Sequence, residues 1–277
     1  MLRAKRALVV MAFTLVSCGS SGVPAATPTQ TMPITLRLLA TTPTLPFVQN
    51  VTNAYTALNP AIRFDIRSGN YAAMLDGVMR GDAPYFVTNH FPLDAQTEDL
   101  WAAPLGQDGI AVIVHPDNAM QGLTTQNLRD IFQGWTTNWS DVGGTDEPIT
   151  VISREDGSGT RAEFESLVMG DRATTPNALV APSSAAVVLL VGRTPGSIGY
   201  VSLSYVTPDV RALAIDDVLP SLDSITDSTY PLRSIVYIVG LAEPQGDYRA
   251  FIAWMQSLEG QAVVSRTHAP LSPLPAS

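Results

Sequence analysis

Apolar positions recur along this chain with two periods, and each change of period marks an element. Short apolar and β-branched runs at 34–39 and 62–66 predict strands. Between them Phe47, Val51, Ala54, Tyr55 and Leu58 stand at helical spacing and stop at Asn59-Pro60, so 47–58 predicts a helix. The same reasoning predicts a second helix over 71–79, a buried strand over 110–114, and a helix over 124–132 capped by Thr124 or Thr125. Trp135 and Trp139 flank a polar turn that closes on Gly143-Gly144. Further strands are predicted at 197–201 and 234–239, then a striped helix over 248–258 stopped at Gly260. Strands and helices alternate throughout, which implies an α/β class with largely parallel sheets.

The segment Val151–Phe164 carries chemistry as well as structure. Val151-Ile152 forms a strand, Gly157 and Gly159 permit a tight turn, and Thr160 with Glu163 forms a capping box that opens a helix. N–H groups at such a helix start lack intrahelical partners and favour an anion. Arg154 adds a planar fork that matches two oxygens of a phosphate-like group, and Asp156 is placed to hold that fork.

Composition limits what this anion socket serves. Arg3, Lys5 and Arg6, the apolar run 7–16 and the sequence Leu15-Val-Ser-Cys18 make residues 1–17 a secretory leader too short to span a bilayer. Cys18, the only cysteine, sits where a lipobox cysteine is acylated and becomes the new N-terminus. Residues 18–33, rich in Gly, Ser, Pro, Ala and Thr, read as a flexible tether. Removing the leader leaves 13 Lys+Arg against 25 Asp+Glu, a formal charge of about −12, which argues against nucleic acid as a partner. A desolvated socket obeys its local donors instead, so a small anion remains compatible.

Catalysis finds little support. Only His90, His115 and His268 could serve as a histidine base, and Gly157-Ser-Gly159 is not a G-x-S-x-G nucleophile elbow. No His, Cys, Asp or Glu cluster has metal-ligand spacing, so neither a metal nor a cofactor is expected.

Six segments in order, Gly109–Asn118, Leu123–Phe132, Asn138–Gly144, Arg154–Arg161, Thr194–Val201 and Phe251–Gly260, resemble the phosphate-binding proteins of bacterial ABC importers, in class II of the periplasmic binding proteins. The resemblance implies a two-lobed Venus-flytrap fold, with 34–112 plus 204–277 as lobe one and 113–203 as lobe two. It implies a monomeric extracytoplasmic lipoprotein that is held to the cell membrane only by its anchor. Such a protein captures inorganic phosphate between the lobes and delivers it to an importer permease. By the same resemblance Arg154 binds the ligand, Asp156 orients Arg154, and Ser158, Gly159 and Thr160 donate from the helix start. From lobe one, Thr44 and Leu45 fall in the family's first ligand loop, Ser68 in its second, and Asn89 or His90 stands where the family has a small polar or acidic ligand residue.

Lobe one departs most from the family pattern, which leaves tungstate, molybdate or sulfate, or a sensing role without transport, as the alternative. A protonated oxyanion needs an acceptor, and the candidates are Asp82, the Asn89 amide oxygen and a neutral His90.

Overall fold

The computed structural model describes residues 32–92 and 97–272; the leader, Cys18 and most of the tether lie outside the described residues. The first half of the fold opens with β1 (Ile34–Thr41), α1 (Leu45–Leu58), β2 (Ile62–Gly69), α2 (Tyr71–Met79) and β3 (Tyr85–Thr88). The middle of the chain follows with β4 (Trp101–Val114), β5 (Gly122–Leu123), α3 (Thr125–Gln133), β6 (Thr150–Arg154), α4 (Gly159–Phe164), β7 (Leu179–Ala181), α5 (Ser184–Val191) and β8 (Ser197–Ser202). The last third holds β9 (Arg211–Ala212), β10 (Ala214–Ile215), α6 (Leu222–Thr226), β11 (Arg233–Gly240), α7 (Gly246–Gln256) and α8 (Leu258–Val264).

Eight strands run in the order β2-β1-β3-β11-β4-β8-β6-β7, with β9 also on β4. β1 pairs in parallel with β2 and β3, and β6 in parallel with β7 and β8. Every pairing made by β4 or β11 is antiparallel, so the sheet is mixed, with its parallel pairings lying on either side of these two strands. These two long strands lie in the middle of the sheet. The first part of β4 pairs with β11, and its second part, from Ile110, pairs with β8. Leu105 is skipped in the β11 register beside Pro104, a bulge that tolerates a residue with no N–H to donate.

Four apolar cores flank this sheet. Phe47, Val51 and Tyr55 of α1 pack with Leu36, Leu38, Val236 and Phe251, while Leu39, Val78, Phe86 and Val239 form a smaller core near α2. At the other end Ile110, Val112 and Val114 face Phe132, Trp139, Phe164 and Tyr200, whereas Ala111 and Ile113 face Val187 and Val191. Residues 110–114 are therefore covered on both faces, which is why they form an unbroken apolar run. Leu213, Ile215, Ile225, Tyr230 and Leu232 join the Phe132 core, and the Tyr230 hydroxyl donates to Ile110 O at 2.8 Å.

Two helix ends also differ from expectation. Ser158, rather than Thr160, caps α4 by accepting from Arg161 N. Gly260 lies inside α8, because Ser257 breaks the helix and caps the next one through Gly260 N. Among the described residues no helix is long and apolar enough to cross a membrane.

Candidate functional site

Arg154 closes β6 with a side chain that is 0% exposed. A buried guanidinium needs a counter-charge, and Glu155 supplies it with two oxygens, at 2.8 Å from Nε and 3.0 Å from Nη2. Ser184 Oγ accepts from Nη1 at 3.1 Å. These three bonds leave two of the five guanidinium N–H groups for a ligand. Asp156, the expected orienting carboxylate, does not touch Arg154. The chain leaves the strand at Arg154 and turns through Gly157 at φ +79°, so Asp156 is thrown outward, 96% exposed, and meets Arg161 instead at 2.6 Å.

The start of α4 is positioned from below by Tyr200. Its ring stacks on Phe164 with centroids 4.0 Å apart, and its hydroxyl contacts Ser153 Oγ at 2.9 Å and receives the Arg154 N–H at 3.4 Å. Burial pushes this phenol up to about 12, so it stays a neutral strut. Ser158 and Thr160 are buried, and Thr160 Oγ1 has no hydrogen-bond partner. The N–H groups of Gly159 and Thr160 are the first two of the helix and have no acceptor within it.

The end of β3 meets this helix start directly. A Cβ on Gly159 would lie 3.0 Å from His90 Cβ and 3.6 Å from Asn89 Oδ1, so a side chain there would press His90 back by a few tenths of an ångström. Asn89 is buried with both amide atoms unpartnered. His90 meets α4 through Nδ1, 2.7 Å from Glu163 Oε1, a bond that leaves Nε2 out of it, and the ring stands edge-on to Tyr71 at 4.8 Å. Ala72 N donates to Gly157 O at 3.2 Å beside it.

The first loop reaches the same place. Thr41 and Thr44 are fully buried, and Thr44 Oγ1 lies 3.0 Å from Val87 O and 3.1 Å from Thr41 O. The expected Leu45 N–H donor is taken by Thr42 O. Tyr205 bridges to this loop by donating to Thr42 O at 2.6 Å, and it feels the charge of Arg154. Ser68 is exposed on the edge strand β2 and is not drawn in; its neighbour Gly69 accepts from Thr42 Oγ1 instead. Asp82 is half-exposed and paired with Arg80.

Asp108 was not singled out from the sequence. It is 2% exposed on β4, Oδ1 accepts from Ser202 Oγ at 3.0 Å and Gly109 N at 2.8 Å, and Oδ2 has no partner. Burial pushes its carboxyl up to about 7, against the pull of Ser202, of the Gly109 and Leu203 N–H groups and of the Asn89 amide. The available signal was a lone acid heading an apolar run, Asp108-Gly-Ile-Ala-Val-Ile-Val114.

The end of β3 and the start of α4 thus meet at Gly159, with unpartnered polar atoms on Asn89 and Thr160 and with Arg154 at the end of the strand that leads into the helix, a setting that suits an anion. A cavity of about 540 Å³ beside α2 is lined by Leu75, Met79, Leu100 and Leu241 with Asp76 and Asp99, and by Tyr71 and Ala72, which also border the start of α4. Among the described residues no group of three or more His, Cys, Asp or Glu could hold a metal ion.

Residues 23–259 match the family model of a PBP superfamily domain. The phosphate-binding protein PstS of Bacillus subtilis is 29% identical over 216 residues, 76% of this chain and 72% of that protein. PstS of Borreliella burgdorferi is 26% identical over 57% of this chain and 61% of its own length. Among solved structures, a substrate-binding protein described for a phosphate ABC transporter of Clostridium perfringens, with bound phosphate, superimposes with a TM-score of 0.81 at 28% identity. It covers 86% of this chain and 99% of its own. An ABC-type phosphate transport receptor from Vibrio cholerae gives 0.69 at 26% identity, covering 84% and 98%.

Proposed function

Because the chain belongs to the PBP superfamily, we propose that it is an extracytoplasmic solute-binding lipoprotein that captures inorganic phosphate and delivers it to the permease of an ABC importer. The observation that carries this reading is Arg154, a fully buried cation with N–H groups to spare at the end of the strand that leads into the Gly159 helix start, where Thr160 and the facing Asn89 have unpartnered side chains. Phosphate supplies what this arrangement needs: negative charge for the fork and acceptor oxygens for the donors around it. The relatives named above as phosphate-binding, and the phosphate-bound Clostridium perfringens structure, support the same ligand.

On this reading the ligand sits between a lobe built on β1, β2 and β3 and a lobe built on β6 and β8, with β4 and β11 joining the two. Ser158, Gly159 and Thr160 contact it from one side, and Asn89 with the Thr41–Thr44 loop from the other. Glu155 takes the orienting role first given to Asp156. Acylated Cys18 holds the protein to the membrane, and the 18–33 tether lets the lobes reach the permease. Binding and handover need no bond to be made or broken, so the protein is not an enzyme.

The test is titration calorimetry of purified protein with phosphate, sulfate, molybdate and tungstate. Phosphate is expected to bind at least about tenfold more tightly than sulfate. Tighter binding of a fully ionised oxyanion would overturn the phosphate assignment, and no binding of any of the four would overturn the anion site.

A further inference from the structure

Three polar contacts join the part of the fold built on β1, β2 and β3 to the part that carries Arg154. Ala72 N donates to Gly157 O at 3.2 Å, His90 Nδ1 lies 2.7 Å from Glu163 Oε1, and the Tyr205 hydroxyl donates to Thr42 O at 2.6 Å. The first two tie α2 and the end of β3 to α4 and the turn before it. The third is different, because Tyr205 follows β8 and engages the first loop. Its half-buried ring packs against the core of Ala111, Ile113 and, from α5, Val187 and Val188. That helix begins at Ser184, whose hydroxyl accepts from Arg154 Nη1. A chain of bonded and packed groups therefore runs from Arg154 through α5 to Tyr205, and from Tyr205 to Thr42. The acceptor is itself well fixed: Thr42 O also receives the Leu45 N–H, and Thr42 Oγ1 donates to Gly69 O at 3.3 Å. Burial raises the Tyr205 phenol above its ordinary value against the pull of Arg154, so it remains a proton donor at neutral pH.

We infer that Tyr205 is a positioning residue that latches the first loop to the Arg154 side once the ligand is in place, and so sets how slowly the ligand leaves. This rests on the phosphate reading above. The hydroxyl is spent on a main-chain carbonyl, so it leaves the oxyanion to Arg154 and the donors around it. It therefore acts on release and not on recognition. A ligand has to enter before the two sides meet over it, so a bond between the sides adds to the barrier for opening and not to the barrier for entry. One neutral hydrogen bond of ordinary strength corresponds to about fivefold in that rate.

The experiment compares the parent with Tyr205→Phe, which keeps the ring in its apolar setting and removes only the hydroxyl. Release of radiolabelled phosphate into an excess of unlabelled phosphate gives the off-rate, calorimetry gives Kd, and the two together give the on-rate. The variant is expected to release phosphate about fivefold faster, to keep the parent's on-rate and to lose the same factor in Kd. A residue that only supported the fold would leave the off-rate where it is. An unchanged off-rate overturns the latch and leaves the phosphate reading standing. A loss that falls on the on-rate overturns it as well, since Tyr205 would then be shaping the open site. A loss beyond about a hundredfold exceeds what one neutral hydrogen bond supplies and would make Tyr205 a contact of the ligand itself, which also overturns the latch. A parent that binds no phosphate overturns both readings. If Tyr205→Phe does not fold, Tyr205→Leu, which keeps an apolar side chain beside α5, is read by the same outcomes.

Discussion

His90 Nδ1 lies 2.7 Å from Glu163 Oε1, joining the end of β3 to α4 across the candidate site. The contact sits next to Gly159, where a Cβ would meet His90 at 3.0 Å. Both features govern how closely the two sides approach. His90→Ala is expected to weaken phosphate binding by about 1 kcal/mol, since the bond is only half-buried and solvent replaces part of it. Gly159→Ala is expected to cost more, because the added methyl wedges the sides apart instead of merely releasing them. Calorimetry on both variants checks the order; a Gly159→Ala protein that binds like the parent would show that the sides need not meet here.

Glu155 and Asp156 adjoin one another and predict opposite outcomes. Glu155→Gln leaves a fully buried guanidinium without its counter-charge and is expected to lower the stability of the ligand-free protein by about 3 kcal/mol. Asp156→Asn removes an exposed partner of Arg161 and is expected to change stability by less than about 0.5 kcal/mol. Urea unfolding of the two variants separates them, and equal effects would contradict the pairing of Arg154 with Glu155.

The confusion between these two acids shows where the sequence stops informing. Strands and helices with a clear period, such as 34–41, 45–58 and 71–79, were legible because one face of each is apolar and the other is not. The first part of β4, Trp101 to Gly109, was not, because Ala, Pro, Gly and polar residues there give no period and its strand state is fixed by pairing with β11. Arg154 could be found from its company of glycines and a helix start. Which acid holds it depends on where the chain leaves the strand, a one-residue matter that composition does not carry. Asp108 was hidden for a related reason: its partners Ser202 and Asn89 are distant in sequence.

Two buried groups give the ligand-free protein opposing pH slopes. Burial lowers His268 to about 4 from 6.5, so the unfolded chain takes up a proton first and stability falls as pH drops from 6.5 towards 4. Asp108 is raised to about 7 from 3.8, so the folded state holds the extra proton and stability falls as pH rises from 4 to 7. At 1.36 kcal/mol per unit these amount to about 3 and about 4 kcal/mol and nearly cancel. His268→Gln is therefore expected to become more stable on acidification over this range, and Asp108→Asn less stable. Denaturant melts at stepped pH read both; parallel profiles in the two variants would refute the assignment.

Attachment to the membrane is expected to depend on Cys18 alone. Cys18→Ala should release the protein into the soluble fraction, since no described helix can span a bilayer and a single lipid anchor is the proposed tie. Membrane fractionation checks this, and a variant that stays with the membrane would contradict the anchor.

Arg154 is the centre of the proposed site. Phosphate titrated into the parent, Arg154→Ala and Arg154→Lys measures its role directly. Arg154→Ala is expected to lose about 3–5 kcal/mol of binding, because the anion loses a desolvated partner while Glu155 is left facing it. Arg154→Lys should recover little of that, since an ammonium cannot present two parallel donors. Binding by Arg154→Ala at the parent's affinity would contradict the proposed site.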